Sequence, residues 1–152
     1  MGGDPYIMVK DDVVDKIVCK EIIDKFESQI NKFYGVTSSG KISKIKNSID
    51  YNLPEDIEDP DFQSWLSYRK MLSSIVEYEV QNYIISLDKE HDDKFYNKLY
   101  LHGLNFNSFL IHKFIKKKGF FNCHTDDTII ISEKKKRVFV YLFYLNDVDV
   151  GG

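Results

Sequence analysis

The stretch that decides the reading runs from Gly119 to Gly152: GFFNCHTDDTIIISEKKKRVFVYLFYLNDVDVGG. It holds a His-x-Asp pair, His124 and Asp126, in a segment that reads as extended. In a strand, residues i and i+2 point to the same face. His124 and Asp126 then set one imidazole and one carboxylate side by side, which is two ligands of a metal site. Asp127 is a rival carboxylate, but i+1 points to the opposite face. Cys123 points away for the same reason. Alone, a His-x-Asp tripeptide is more often a surface accident or a capped turn; the setting is what raises this one.

That setting is a run of extended segments. Upstream, Phe106 to Ile115 carries Phe109, Ile111 and Ile115 against Leu110 and Phe114, so both faces are apolar. A strand with two apolar faces lies between layers. Lys116-Lys117-Lys118-Gly119 is a polar turn, and Phe120 to Cys123 leads into the pair. Downstream, Thr128 to Ser132 is short and β-branched, Glu133 to Lys136 is a charged turn, and Arg137 to Asn146 is a long strand, apolar on both faces.

Nearer the start the period is helical. Val13, Val14, Ile17, Val18, Ile22, Phe26 and Ile30 make one apolar stripe, with Asp11 and Asp12 as N-caps. Gly35 to Gly40 is turn-like, and Lys41 to Tyr51 reads as a strand. Leu53 to Pro60 is an acidic loop. Asp61 caps a second helix whose stripe of Phe62, Trp65, Leu66, Leu72, Ile75, Val76 and Tyr83 runs to about Ile85. Leu87 to Lys94 is a charged connection that places His91 in a loop. Helices first and strands later predict an α+β fold, with strands heading toward a sandwich or barrel.

The chain has 152 residues, the size of a single domain, and 43% are hydrophobic, enough for a core. The net charge of -3 gives no bulk electrostatic pull on nucleic acid. The two cysteines, Cys19 and Cys123, make no C-x-x-C spacing and read as reduced thiols in a cytoplasmic compartment. The first residues lack a secretory pattern, and the Gly2–Gly3 start has Tyr6 where a myristoylation site wants Ser or Thr. No apolar run approaches a membrane span.

In order along the chain stand FLIHKF (Phe109 to Phe114), KKKG, the pair Phe120–Phe121, His124 and Asp126, Arg137 opening a strand, YLNDV (Tyr144 to Val148), and Gly151–Gly152. The last third of the chain thereby resembles the Fe(II)- and 2-oxoglutarate-dependent dioxygenases of the prolyl 4-hydroxylase type, especially the short forms of phages and marine bacteria. The helix with CKEIIDKFE (Cys19 to Glu27) and the strand KIKNSIDYNL are similar to the family's front, less diagnostically. The resemblance implies N-terminal helices packed on a double-stranded β-helix, or jelly roll. It implies Fe(II) held by His124 and Asp126, 2-oxoglutarate as co-substrate, ascorbate as a reductant, and hydroxylation of a peptide or small molecule. Tyr144 and Phe114 are the implied co-substrate neighbours. A non-haem centre of this kind takes two His and one carboxylate and leaves coordination positions open.

Three departures qualify the likeness. The family's second iron-binding His and its basic residue for the distal 2-oxoglutarate carboxylate lie past the Gly-Gly, and this sequence has neither position. Phe114 stands where the family often has Tyr, whose hydroxyl reaches the co-substrate. His112 stands where Gln is frequent, and reads as a packed or edge His. The expectation is therefore a jelly roll cut off after about half its core strands. As this chain alone it would bind iron poorly and turn over little, its other half being cut off by a truncated reading frame, encoded separately, or lost from an incomplete contig. The competing expectation is a non-catalytic jelly-roll interaction or structural protein.

Overall fold

A computed structural model of the chain describes residues 6–37, 44–91, 108–126, 129–130 and 135–148. Two compact units divide it: Met1–Cys19 with Leu53–Phe109, and Lys20–Asn52 with Leu110–Gly152.

The first unit is built on one long helix, α2 (Phe62–His91). Two Asx turns lead into it: Asp56 Oδ1 accepts from the Glu58 amide at 2.9 Å, and Asp59 Oδ1 from the Asp61 amide at 2.8 Å. Asp61 stands at the N-cap, its carbonyl accepting the Trp65 amide at 3.2 Å. The buried stripe is Trp65, Leu72, Val76, Val80, Ile84 and Leu87, the three-and-four spacing of a one-sided helix. Arg69 ties the preceding loop to the helix. Its Nη1 donates to the Pro54 carbonyl at 2.5 Å and its Nη2 lies 3.6 Å from Glu55. The helix does not stop near Ile85 as its sequence suggested. Ile84 and Leu87, each 1% exposed, continue the stripe, so the helix runs on past them and His91 ends a helix rather than sitting in a loop.

α1 (Lys16–Ser28) starts later than expected. Asp12 has a φ of 56°, off the helical region, and the cap is Asp15. The Asp15 side chain accepts from the Ile17 amide at 2.7 Å and its carbonyl from the Cys19 amide at 2.9 Å. The buried line is Cys19, Ile22, Phe26 and Gln29, while Ile17 and Ile30 are exposed. Lys32 closes the C-terminus by donating to the carbonyls of Phe26, at 3.1 Å, and Glu27, at 2.6 Å.

The second unit contributes short antiparallel strands. β1 (Phe33–Tyr34), β3 (Ile49–Asn52) and β4 (Leu110–Lys113) form one sheet in the order β1-β3-β4, with Asp50 opposite His112. β2 (Lys46–Asn47) pairs with β5 (Phe120–Phe121), Lys46 opposite Phe121. β6 (Ile129–Ile130) pairs with β7 (Lys135–Lys136), so the end of the expected charged turn is strand. The strand read over Lys41 to Tyr51 changes partners at Ser48; residues 41–43 lie outside the described ones.

The Lys116-to-Gly119 turn is present and tight. The amides of Lys118 and Gly119 both donate to the Ile115 carbonyl, and a Cβ on Gly119 would meet the Ile115 nitrogen and Phe114 Cα at 2.6 Å. Two strand expectations are corrected. The Phe106-to-Ile115 segment is strand only over Leu110–Lys113 among its described residues, with Phe109 adding a bond from the Leu53 amide, and Leu110 is exposed and its neighbours half-buried, so the described residues do not close off both of its faces. Arg137 to Asn146 enters no sheet with the described residues, and Val138, Val140, Leu142 and Tyr144 are exposed along it. The described residues thus hold two helices and small antiparallel sheets. No helix among them is long and apolar enough to cross a membrane.

Candidate functional site

The site is anchored by the β2–β5 ladder. Beyond the Lys46–Phe121 pair the ladder is prolonged by Asn122, whose amide donates to the Ile45 carbonyl at 2.9 Å and whose side chain donates to the Lys44 carbonyl at 3.1 Å. The chain then leaves the sheet and bends at Cys123. His124 and Asp126 therefore do not stand on one strand, as their spacing suggested. The bend still brings them together: His124 Nε2 lies 3.9 Å from Asp126 Oδ1.

The imidazole is oriented from two sides. Its Nδ1 is 2.8 Å from the Asn122 carbonyl. A carbonyl oxygen only accepts, so Nδ1 carries the proton and the lone pair of the neutral ring falls on Nε2, the atom nearest Asp126. The ring also lies flat on Phe121, with centroids 3.7 Å apart and planes 17° from parallel. Asp126 is also held by Arg137, whose Nη1 is 3.0 Å from the same oxygen, Oδ1. All three polar side chains are more than a third exposed.

This pair fits a divalent metal in donor type and tautomer. With ligand distances of about 2.1 Å, two cis donors of an octahedral ion stand roughly 3.0 Å apart, so the observed pair must close by about 0.9 Å. A three-ligand set needs one more group, and no cluster of three or more His, Cys, Asp or Glu suited to a metal occurs among the described residues. Nor do the described contacts bring Phe114 or Tyr144 to the pair; both are exposed, at 47% and 76%. Cys123 is an exposed free thiol and Cys19 a buried one, whose pKa is raised by burial and then by the Asp15 charge.

A second cluster was not foreseen. Asp50, 1% exposed, accepts from Lys46 Nζ at 2.8 Å through Oδ2 and from His112 Nδ1 at 2.8 Å through Oδ1. Lys46 is 4% exposed, and its Nζ lies 3.3 Å from His112 Nδ1. An ammonium and an Nδ1–H are both donors, so that last approach is a shared attraction to Asp50 rather than a hydrogen bond. Burial pushes the Asp50 carboxyl up, but the bonds from His112 and Lys46 and the nearby Ser48 hydroxyl outweigh it and hold the carboxyl below its ordinary range. The Ser48 hydroxyl itself makes no hydrogen bond of ordinary geometry. Gly35 roofs the cluster: its amide donates to the Ser48 carbonyl, and a Cβ there would stand 2.2 Å from Ser48 Oγ and 3.1 Å from Asp50 Oδ2. The clue in the sequence was Lys46-x-Ser48-x-Asp50, three polar residues on one face of an extended run.

The chain matches no family model, no curated protein and no solved structure.

Proposed function

We propose that the chain carries part of the iron site of an Fe(II)- and 2-oxoglutarate-dependent dioxygenase of the prolyl 4-hydroxylase type, with its small sheets belonging to a jelly roll. The observation that supports this most is His124: its Nδ1 is committed to the Asn122 carbonyl while Nε2 faces the Asp126 carboxylate 3.9 Å away. Metal-binding histidines are typically fixed in this way, through a hydrogen bond from the other ring nitrogen.

In this reading His124 and Asp126 are two of three iron ligands, and the second His comes from outside the described residues. The bound metal and keto acid would couple oxidative decarboxylation to hydroxylation of a substrate C–H bond. The chain's own residues do the holding: Asn122 sets the tautomer, Phe121 covers one face of the imidazole, and Arg137 rests on the Asp126 oxygen nearest Nε2. Two ligands by themselves hold Fe(II) weakly, and the third completes the site. The free thiols of Cys19 and Cys123 suit a reducing compartment.

A second reading draws on the Arg137–Asp126 pair: a non-catalytic module in which the same residues form a surface ion pair. Anaerobic titration with Fe(II) and 2-oxoglutarate, followed by NMR, separates the two. Paramagnetic broadening centred on residues 121–126 that disappears in His124→Ala supports the iron site. Broadening that is absent, or that survives the substitution, sinks it.

A further inference from the structure

We infer that Lys46, fixed by Asp50, is a positioning residue for the His124 imidazole and acts through the Phe121 ring. The inference rests on the proposed iron site for its purpose but not for its geometry. Asp50 holds the Lys46 ammonium at 2.8 Å in a place almost closed to water. That ammonium lies over the Phe121 ring, 5.0 Å from its centroid, and Phe121 is the residue opposite Lys46 in the β2–β5 ladder. The same ring stacks on His124 at 3.7 Å. One unbroken line of contacts therefore runs from His112 and Asp50 through Lys46 and Phe121 to the imidazole.

The physical reason is the quadrupole of the aromatic ring. A cation over the ring is attracted to its negative face, and the attraction grows when the cation is desolvated. Lys46 has lost nearly all its water, and Asp50 fixes where its charge sits. This selects one rotamer of a half-buried ring at the point where the chain leaves the sheet. With the rotamer set, His124 is held between the Phe121 face and the Asn122 carbonyl, leaving Nε2 one direction in which to point. Without the cation, only apolar contact would hold the ring against a bend exposed to solvent.

The test is NMR of the full chain, with Co(II) as the metal probe. In the unsubstituted protein, nuclear Overhauser contacts must join the Lys46 ε-protons to the Phe121 ring and that ring to the His124 Hδ2. The His124 ring protons must also be shifted upfield by the stacked phenyl. Lys46→Met keeps the stem and removes the charge. It is expected to move the His124 signals most of the way to unstacked positions and to weaken Co(II) binding about tenfold or more, the usual effect of losing a partner behind a metal ligand. Lys46→Arg restores both. Unchanged His124 signals in a folded Lys46→Met protein overturn the inference. Should that variant fail to fold, absence of either Overhauser contact in the unsubstituted protein overturns it equally. If Co(II) does not bind while stacking and its dependence on Lys46 are intact, the iron reading fails and the positioning role stands.

Discussion

Asp50→Asn keeps the shape of the side chain and removes its charge. The carboxylate it removes is 1% exposed and neutralises an ammonium that is 4% exposed. Breaking one side of a buried pair costs about 3–5 kcal/mol, most of it the penalty of an uncompensated charge. The Asn oxygen still accepts one bond, which places the expected loss near the lower end, about 3 kcal/mol. His112 adds little, being partly exposed and able to turn to water. With an m-value of about 1.5 kcal/mol per molar urea, the midpoint falls by about 2 M. The assay is urea unfolding read at backbone amide signals of Tyr51 and Ile111, which report on the sheet that carries Asp50.

The double substitution Lys46→Met with Asp50→Leu makes the prediction sharper. Replacing both members of a buried pair by apolar groups is often neutral or stabilising. The double variant is therefore expected within about 1 kcal/mol of the unsubstituted chain, although each single change is costly. Acid gives a third reading. The folded Asp50 carboxyl is held below its ordinary range, so its contribution is complete above the unfolded value of about 3.9 and is lost as pH falls through the folded one. The gap between the unsubstituted chain and Asp50→Asn must narrow below about pH 4. A single-variant cost under about 1 kcal/mol, or a double variant showing the sum of the two single losses, refutes the account of a buried pair.

Three further outcomes follow from the geometry. Gly119→Ala drives a Cβ to 2.6 Å from main-chain atoms that move only if the turn opens, so a loss of about 1–3 kcal/mol and a Tm lower by roughly 3–9 °C are expected by calorimetry. Asp15→Ala removes the cap on the Ile17 amide and costs about 1 kcal/mol, whereas Asp11→Ala leaves thermal stability unchanged. Leu87→Ala costs about 2–5 kcal/mol in chemical denaturation while Ile85→Ala stays under about 1 kcal/mol, since Leu87 is 1% exposed and Ile85 is 39% exposed.

What the sequence made legible was local. The stripe from Trp65 to Val76 announces α2, because helical spacing depends on nothing outside the helix. The start of α1 was misplaced because Asp11, Asp12 and Asp15 all suit an N-cap, and the choice falls on the one whose backbone can begin the helix; Asp12, at φ 56°, does not. The nearness of His124 to Asp126 was legible from their spacing, but for the wrong geometric reason, since a bend rather than a strand joins them. The partner of His124 Nδ1 is a main-chain carbonyl, which carries no residue-specific signal. The pairing of Lys46 with Phe121 is a matter of register between distant segments, and the pairing of Asp50 with His112 is of the same kind. The length of the Arg137 segment suggested a strand, but a strand needs a neighbour and the apolar pattern alone does not name one.

The two readings of the His124–Asp126 pair differ over Arg137, and magnitudes separate them. If the Arg137–Asp126 contact were strong, it would hold the carboxylate away from any metal. Both side chains are more than a third exposed, and such pairs are worth about 0–1 kcal/mol. A divalent ion taking the same oxygen at about 2.1 Å brings twice the charge to a shorter distance. Arg137 can yield Oδ1 at little cost. The bond between His124 Nδ1 and the Asn122 carbonyl has no such rival, because a metal at Nε2 leaves it in place. The surface-pair reading gives that bond no role. A metal needs it, which is why the iron-site reading is preferred.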